Sequence, residues 1–448
     1  MKSLFLICGA IILTLTSQSF ATDVSGDVWG VWTADNSPYN VVGSIRVPPD
    51  SSLVIEAGVD VQFCLECSLT VEGNATITAS GTLNDSINFC GGGGVRLYTW
   101  STNSAFDYCN FFNVEGLLIG AVRALNSNVQ FTNCHFHHNT VIAGITNFAY
   151  GGALSIYNSV VTLENCLIDF NWARPLNEEA PQVFVLGGGI YVGNSIFSLT
   201  RCLISNNAAG GYRGIGLGGG IYLENTYAVL SGNTVTKNRS YYEDIENDTI
   251  YCGSGIFSSF SIGSVNSSII WGNMVSDFYT YHDSLEITYS DIGDTIPGEG
   301  NIYSDPMFVD SINNDFHLLF GSPCINTGDP DSPLDPDSTR ADMGALFYDF
   351  STDIDEPSRL PEQFVLNQNY PNPFNAQTTI SYSLSEASNV TMDIFDITGR
   401  KVSTLFEGQQ SAGRHSLIWN AGNVVSGIYL CRAELDRFSA VRRLVLLR

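Results

Sequence analysis

GGALSIYNSVVTLENCLIDFN, residues Gly151–Asn171, and GGGIYVGNSIFSLTRCLISNN, residues Gly187–Asn207, are two copies of one unit. Each opens on a Gly-rich step and closes on apolar-x-x-Asn. The unit recurs at Ile119–Asn139, Gly218–Asn238 and Gly253–Asn273, always with the same offset of 20 between first and last residue. The joints differ, running 12, 16, 11 and 15 residues from each Asn to the next start. A constant body with variable joints predicts a stack whose insertions leave on one side. Inside the unit, residues alternate as in strands. Leu154, Ile190, Ile221 and Ile256 share one inward column and Ile156, Val192 and Leu223 the next, while Ser155, Tyr191, Tyr222 and Phe257 take the opposite face. After a turn at Asn126, Asn158, Asn194 and Asn225, a second run leads through Phe131, Leu163, Leu199, Leu230 and Val265 to the closing Asn. The body is too short for a helix plus two strands. The economical fold is all-β, a parallel β-helix whose short strands pair with the coil below at about 4.8 Å.

Each asparagine column has a physical reason. An Asn side chain tolerates a left-handed turn, and its amide can bond to the identical amide one coil away, forming a ladder that satisfies buried turn groups. Cys109, Cys134, Cys166 and Cys202 each follow an inward apolar residue by three positions and so stack in a third column, continued by Asn233 and Ser268. Parallel side chains in a column make poor disulfide geometry, so these four thiols are expected to be reduced and buried. With Gly151-Gly152-Ala153-Leu154 and Phe136-His137-His138-Asn139, the unit resembles the repeats of the chlamydial polymorphic outer membrane proteins. More broadly the chain resembles the right-handed, pectate-lyase-like parallel β-helix.

Short alternating runs at Val41–Val47, Leu53–Ile55, Val59–Phe63 and Leu69–Val71 extend the stack toward the N-terminus, giving about ten coils across residues 25–325. The segment from Ile287 to Ile325 is similar to a closing segment of secreted bacterial β-helix proteins and is expected to cap the stack. Residues 1–21, with Lys2, an apolar run Leu4–Leu15 and Ser19-Phe20-Ala21, read as a signal peptide, too short to span a membrane. The β-helix with its cap is assigned to residues 22–349 and an exposed linker to 350–362. From residue 363 to 448 stand Asn369-Tyr370-Pro371-Asn372-Pro373-Phe374-Asn375, Ile394-Phe395-Asp396-Ile397-Thr398-Gly399-Arg400-Lys401-Val402, Trp419-Asn420 and Gly427-Ile428-Tyr429. That ordered set resembles the C-terminal sorting domain of type IX secretion. The resemblance implies a small β-sandwich that the secretion machinery recognises after passage through the periplasm. It also implies removal of that domain as the passenger is released or attached to the outer-membrane surface.

Charge narrows the function. The chain has 448 residues and a formal net charge of −26. Residues 22–362 hold ten Lys and Arg against 39 Asp and Glu, whereas 363–448 hold eight against six. A general nucleic-acid binder, which needs basic groups for phosphate, is excluded. The outward column Tyr191, Tyr222 and Phe257 is expected to stand as an exposed aromatic row, joined at one flank by Trp172, Tyr212, Arg213, Tyr241 and Tyr242 from the joints. Sugar rings or another protein could lie across it.

Asp329, Asp331, Asp335, Asp337 and Asp342 have the hard oxygen ligands that suit calcium, and an extended Pro-rich linker is the competing reading. The acidic run Glu243–Asp248 reads as a solvated loop, with calcium binding as its alternative. His135 and His137 share a strand face without a third ligand in register, which disfavours zinc. Cys64 and Cys67 form a local disulfide or two packed thiols; Cys90, Cys252, Cys324 and Cys431 stay open. The favoured function is a non-catalytic adhesin or glycan-binding protein, secreted or attached to the cell surface. The alternative is a polysaccharide lyase or glycoside hydrolase built from loop residues such as Arg174, Glu178, Glu179 and Arg213.

Overall fold

The computed structural model describes residues 21–99, 103–118, 120–143, 148–176, 183–211, 214–241, 253–349 and 365–447, the last without 367, 368, 370, 371, 373, 385, 386, 412, 423, 436 and 437. Outside them lie the signal peptide to residue 20, Glu178, Glu179, Tyr212, Arg213, Tyr242, the acidic loop 243–248, Cys252 and the linker 350–362. The chain falls into two compact units, Met1–Tyr348 and Asp349–Arg448.

The first unit is the expected stack of coils. A typical coil runs Val122–Leu125, Asn128–Thr132 and His135–His137, then leaves along Thr140–Ala143. Each strand pairs in parallel with its counterpart on the next coil, so Leu154, Ile190, Ile221 and Ile256 stand in one register, as do Phe131, Leu163, Leu199, Leu230 and Val265. Among the described residues the sheet through Asn128–Thr132 has ten strands, from Gly30–Trp32 to Ser284–Thr288. The second run of the unit, expected as one strand, is broken in two at the cysteine column. Three corners therefore enclose the core, within which like side chains stack: the Phe89, Phe111 and Phe136 rings follow one another at 4.8 Å. Each such ring contributes roughly 2–3 kcal/mol by leaving water.

Each corner divides its work between two residues. The first adopts a left-handed conformation, as at Asn126 (φ 51°), Asn133 (φ 52°) and His138 (φ 55°), and the next turns inward. The inward residues bond upward in three ladders. At the first corner, backbone N–H groups donate to hydroxyls one coil on, Ser127 to Ser159 and Ser159 to Ser195, both at 3.0 Å. At the second corner, Cys166 donates to Cys202 Sγ and Cys202 to Asn233 Oδ1. At the third, Asn139, Asn171, Asn207 and Asn238 are fully buried, and the N–H and Nδ2 of each donate to Oδ1 of the next. Thus of the two asparagine columns, the closing one forms the buried ladder. Asn126, Asn158, Asn194 and Asn225 make the left-handed turn at the surface, with side-chain amides bonded in pairs, Asn158 to Asn126 and Asn225 to Asn194.

Cys109, Cys134, Cys166 and Cys202 are all free and buried. All four are closed to solvent, and attack requires an accessible thiolate. The folded protein is expected to leave all four unmodified by iodoacetamide, and mass spectrometry after denaturation without reductant should find all four alkylable. A bridge among them would refute the packing. Cys64 and Cys67 are disulfide-bonded.

The last part of the first unit departs from a simple cap. Strand Ser284–Thr288 and the bridge from Asp291 to Ile302 complete the final coils. Residues 304–348 then fold back along the side of the stack. Lys237 Nζ donates to Ser311 O at 2.6 Å, Arg201 pairs with Asp335 at 3.6 Å, and Gly344 N donates to Ser267 O at 2.7 Å. Leu318, Cys324 and Met343 bury Ile269 on the outer face. This strap includes the aspartate-rich stretch, which is therefore not an extended linker.

Burial raises Asp291 and Asp342 to about 6. A carboxyl that holds its proton more tightly folded than unfolded adds stability below its unfolded value, and the contribution is lost as pH rises through about 6. His137 opposes this. Burial first and His135 next hold it down to about 4, so it costs stability as pH falls below about 6.5. Two carboxyls against one part-exposed imidazole should make the thermal midpoint higher at pH 5 than at pH 8, by roughly 2 °C. Asp342→Asn should shrink that difference, which scanning calorimetry at the two pH values would measure.

The second unit packs two antiparallel sheets, one of strands Val365–Leu366, Gln377–Leu384 and Gly413–Asn420, the other of Lys401–Gln410, Ser388–Asp396, Gly427–Leu435 and Phe438–Leu446. Its core includes Ile380, Tyr382, Met392, Ile394, Trp419 and Cys431.

Candidate functional site

Outward residues of the first strand form one long column across successive coils: Arg46, Thr70, Arg96, Arg123, Ser155, Tyr191, Tyr222, Phe257 and Tyr279. Its aromatic half has the expected register. The Tyr191 and Tyr222 rings stand 5.7 Å apart and Tyr222 and Phe257 5.1 Å apart, stacked within 15°.

The row is not exposed, contrary to the sequence expectation. Tyr191, Tyr222 and Phe257 are only 5%, 7% and 9% accessible. The joints between coils return as strands Phe148–Tyr150, Val183–Leu186 and Gly214–Leu217, which pair in parallel as a separate sheet. One face of this flap, with Ala149, Val183 and Val185, packs on Val141, Ala143, Ala173 and Ala209 of the strands leaving the coils. From its other positions Phe148, Tyr150, Leu186 and Leu217 close over the aromatic row. Tyr191 donates to Glu224 Oε2 at 2.9 Å, and burial foremost, with Glu224 beside it, pushes its hydroxyl far above the usual range. Those three rings hold the flap down.

The other proposed ligand residues are scattered. Trp172 is 42% exposed, beneath the Arg174 guanidinium at 5.3 Å, and its indole donates to Gly210 O. Tyr241 is near by through its backbone, which accepts from Gly216 N. Tyr212, Arg213 and Tyr242 lie outside the described residues. Four of the five aspartates of the strap accept backbone N–H groups in its turns. Asp342 accepts from the N–H groups of Asn326 and Tyr348, Asp335 from that of Asp342, Asp337 from Thr339, and Asp329 from Asp331. Among the described residues no three His, Cys, Asp or Glu side chains converge as metal ligands. Backbone donors thus hold four of the five carboxylates, with Asp335 and Asp337 close to Asp342.

His135 Nε2 lies 2.8 Å from Asp169 Oδ1, and His137 Nδ1 lies 3.0 Å from His138 Nδ1. His137 also stacks on Phe112 and His138 on Phe170. The histidines are paired with neighbours on their own sheet face.

Beyond the flap, the outward column changes character. Arg96 and Arg123 stand in register on adjacent coils, and the Arg123 guanidinium lies over the Tyr98 ring at 5.9 Å. Burial first, and then Arg123, hold the Arg96 guanidinium down to about 10, still charged at neutral pH. Two residues further along the strands come Tyr98, Leu125 and Tyr157, facing the same way, with Tyr157 42% exposed. Tyr150 reaches from the flap to within 4.7 Å of the Tyr191 ring and closes this end of the aromatic row. Burial, then Glu224 and Tyr157, raise its hydroxyl. Sequence reading passed over Arg96, Tyr98 and Tyr157. The usable signal was their i, i+2 alternation with Val95, Leu97, Leu154 and Ile156.

The fold and this face together define an elongated all-β passenger joined to a separate antiparallel sandwich. Residues 33–195 match the family described as a right-handed β-helix region, and residues 368–447 match the secretion system C-terminal sorting domain. The chain is a right-handed β-helix protein sorted by type IX secretion, directed to secretion or outer-membrane surface attachment. No curated protein matches it. Among the described residues no helix is long and apolar enough to cross a membrane.

Proposed function

We propose that the exported β-helix is a non-catalytic glycan-binding adhesin whose binding face is the uncovered outer side of the first strands together with the corner that follows them. The observation that carries this reading is two exposed tyrosine rings, Tyr157 and Tyr227, beside a column of exposed side-chain amides at the first corner. Tyr157 precedes the exposed Asn158, and Tyr227 follows Asn225, with Asn194 between them on the stack. Sugar rings lie flat on aromatic faces while their hydroxyls take amide bonds, and the corner amides recur on coils about 4.8 Å apart along a rigid edge. A rigid scaffold costs little ordering entropy on binding.

The exported protein, applied to an immobilised polysaccharide panel, is expected to retain at least one glycan and to generate neither reducing ends nor unsaturated products. Tyr157→Ala should weaken that retention about tenfold, the size of one lost stacking contact, with the thermal midpoint unchanged. Product release from the panel would establish the lyase or hydrolase alternative. Retention by the variant equal to wild type would place the ligand elsewhere.

A further inference from the structure

The outer face of the ten-stranded sheet carries an apolar strip. Val160, Ile196, Tyr227 and Ile262 hold one outward position on four successive coils, paired without a register shift, and each is between 42% and 54% exposed. Apolar side chains repeated about 4.8 Å apart make a continuous strip, unlike hydrophobic residues scattered singly over a surface. The strip lies on six neighbouring strands, from Asn128–Thr132 to Ser284–Thr288. Three outward side chains on each of these strands, eighteen in all, include only two charges, Glu164 and Glu286. Residues 22–362 hold ten basic against 39 acidic residues, so two copies of this passenger repel each other over most of their surface. This face is where that repulsion is weakest.

We propose that the face joins two copies of the chain, sheet against sheet, with their stacks antiparallel. The two-fold axis runs along the strands, between the coil of Ile196 and that of Tyr227. Such an axis keeps each position along the strand and reverses the order of the coils. Ile196 then meets Tyr227 and Val160 meets Ile262, so strip covers strip. The same axis sets Glu164 against Asn266 and Glu286 against Gln130, so each carboxylate faces an amide and no like charges meet. A surface complementary to itself under a two-fold is what an isologous dimer requires, and it singles out a second copy as the partner. Six strands of five residues offer about 500 Å² of face on each copy, about 1,000 Å² together, at the lower edge of specific interfaces. The dimer is therefore weak and concentration-dependent. It takes in Tyr227 but leaves Tyr157 and the corner amides outside, so it does not depend on the glycan reading.

Sedimentation velocity on the purified full chain, over a hundredfold range of concentration, is expected to show a monomer–dimer equilibrium. Added salt should strengthen it, because salt screens the repulsion between two acidic rods and leaves apolar contact intact. Ile196→Glu should weaken association about tenfold or more, the scale of spoiling a contact at the centre of an interface, with circular dichroism unchanged. Tyr227→Lys should weaken it likewise and carries the comparison alone should Ile196→Glu fail to fold. An equimolar mixture of the two variants should recover association, since the axis sets one substituted position on the other. Val31→Glu, exposed on the same sheet but outside the six strands, should change nothing. A monomer at every concentration and salt, a dimer that salt weakens, a dimer indifferent to both single variants, or a mixture no better than either would overturn the contact. None of these outcomes alters glycan retention or its loss in Tyr157→Ala, so the two readings fail separately.

Discussion

Asn207→Ala is expected to cost about 3–5 kcal/mol of folding stability, the penalty for orphaning several buried polar groups at once. Oδ1 of Asn207 accepts from the N–H and the Nδ2 of Asn171, and its own Nδ2 donates to Ile168 O and Asn238 Oδ1. Truncation removes all four bonds inside a corner that water does not reach, and it leaves the backbone N–H of Asn171 without its acceptor. Asn207→Leu, which restores the volume but not the bonds, should be nearly as harmful, because the loss is of hydrogen bonding rather than packing. Asn194→Ala provides the comparison. That residue is exposed in a left-handed turn, so its loss should cost only about 1 kcal/mol of backbone preference. Urea unfolding of the three variants followed by circular dichroism would measure the order. Equal midpoints for Asn207→Ala and Asn194→Ala would show that the buried ladder carries no special share of the stability.

Tyr191→Ser combined with Tyr222→Ser should lower stability by about 4–6 kcal/mol, since each truncation loses buried ring area and leaves a cavity. The two rings touch, so the combined loss should fall short of the sum of the single ones. Had the row been exposed, the same pair of changes would have left the fold intact and removed only a ligand. Its burial under the flap predicts a different signature. The strands Val183–Leu186 and Gly214–Leu217 lose the surface they cover, and the flap should become the first point of proteolytic cleavage. Limited trypsin or thermolysin digestion with N-terminal sequencing of the fragments would locate the cuts. A double variant with wild-type midpoint and digestion pattern would mean the flap is held by its own small core of Ala149, Val183 and Val185 instead.

Periodicity made the coil legible. Alternation alone told that Ile156, Val192 and Leu223 point inward and Tyr191 and Tyr222 outward, because in a strand successive side chains face opposite sides. Fixed unit length then aligned the Asn and Cys columns, since a side chain recurring at one phase of every coil must meet its copy above and below. Even the ordered C-terminal motifs stood apart by charge before any fold was known. Three things were less legible. The corner at the cysteine column was missed, because a left-handed residue such as Asn165 or Arg201 interrupts a strand without leaving a compositional mark. The two asparagine columns looked alike, though one is at the surface and the other in the core. The aspartate-rich stretch looked like an ion site or a linker, because acidic side chains that cap turns and acidic side chains that gather round a cation have the same composition.

The amino-acid sequence by itself determined the coil, its register, its inward columns and its export signal, because each is set by local alternation or by short ordered motifs. The tertiary structure alone decided what lies over the outer face. Strands built from the joints at 148–150, 183–186 and 214–217 pair with one another, and no spacing within a single joint says which surface they will cover. The strap at 304–348 likewise finds Arg201, Lys237 and Ser267 across long stretches of chain. The flap buries one half of an outward column and leaves Arg96 and Arg123 at the other half without a carboxylate among the described residues. Pairing between segments distant in sequence is governed by surfaces that exist only once the coils have stacked.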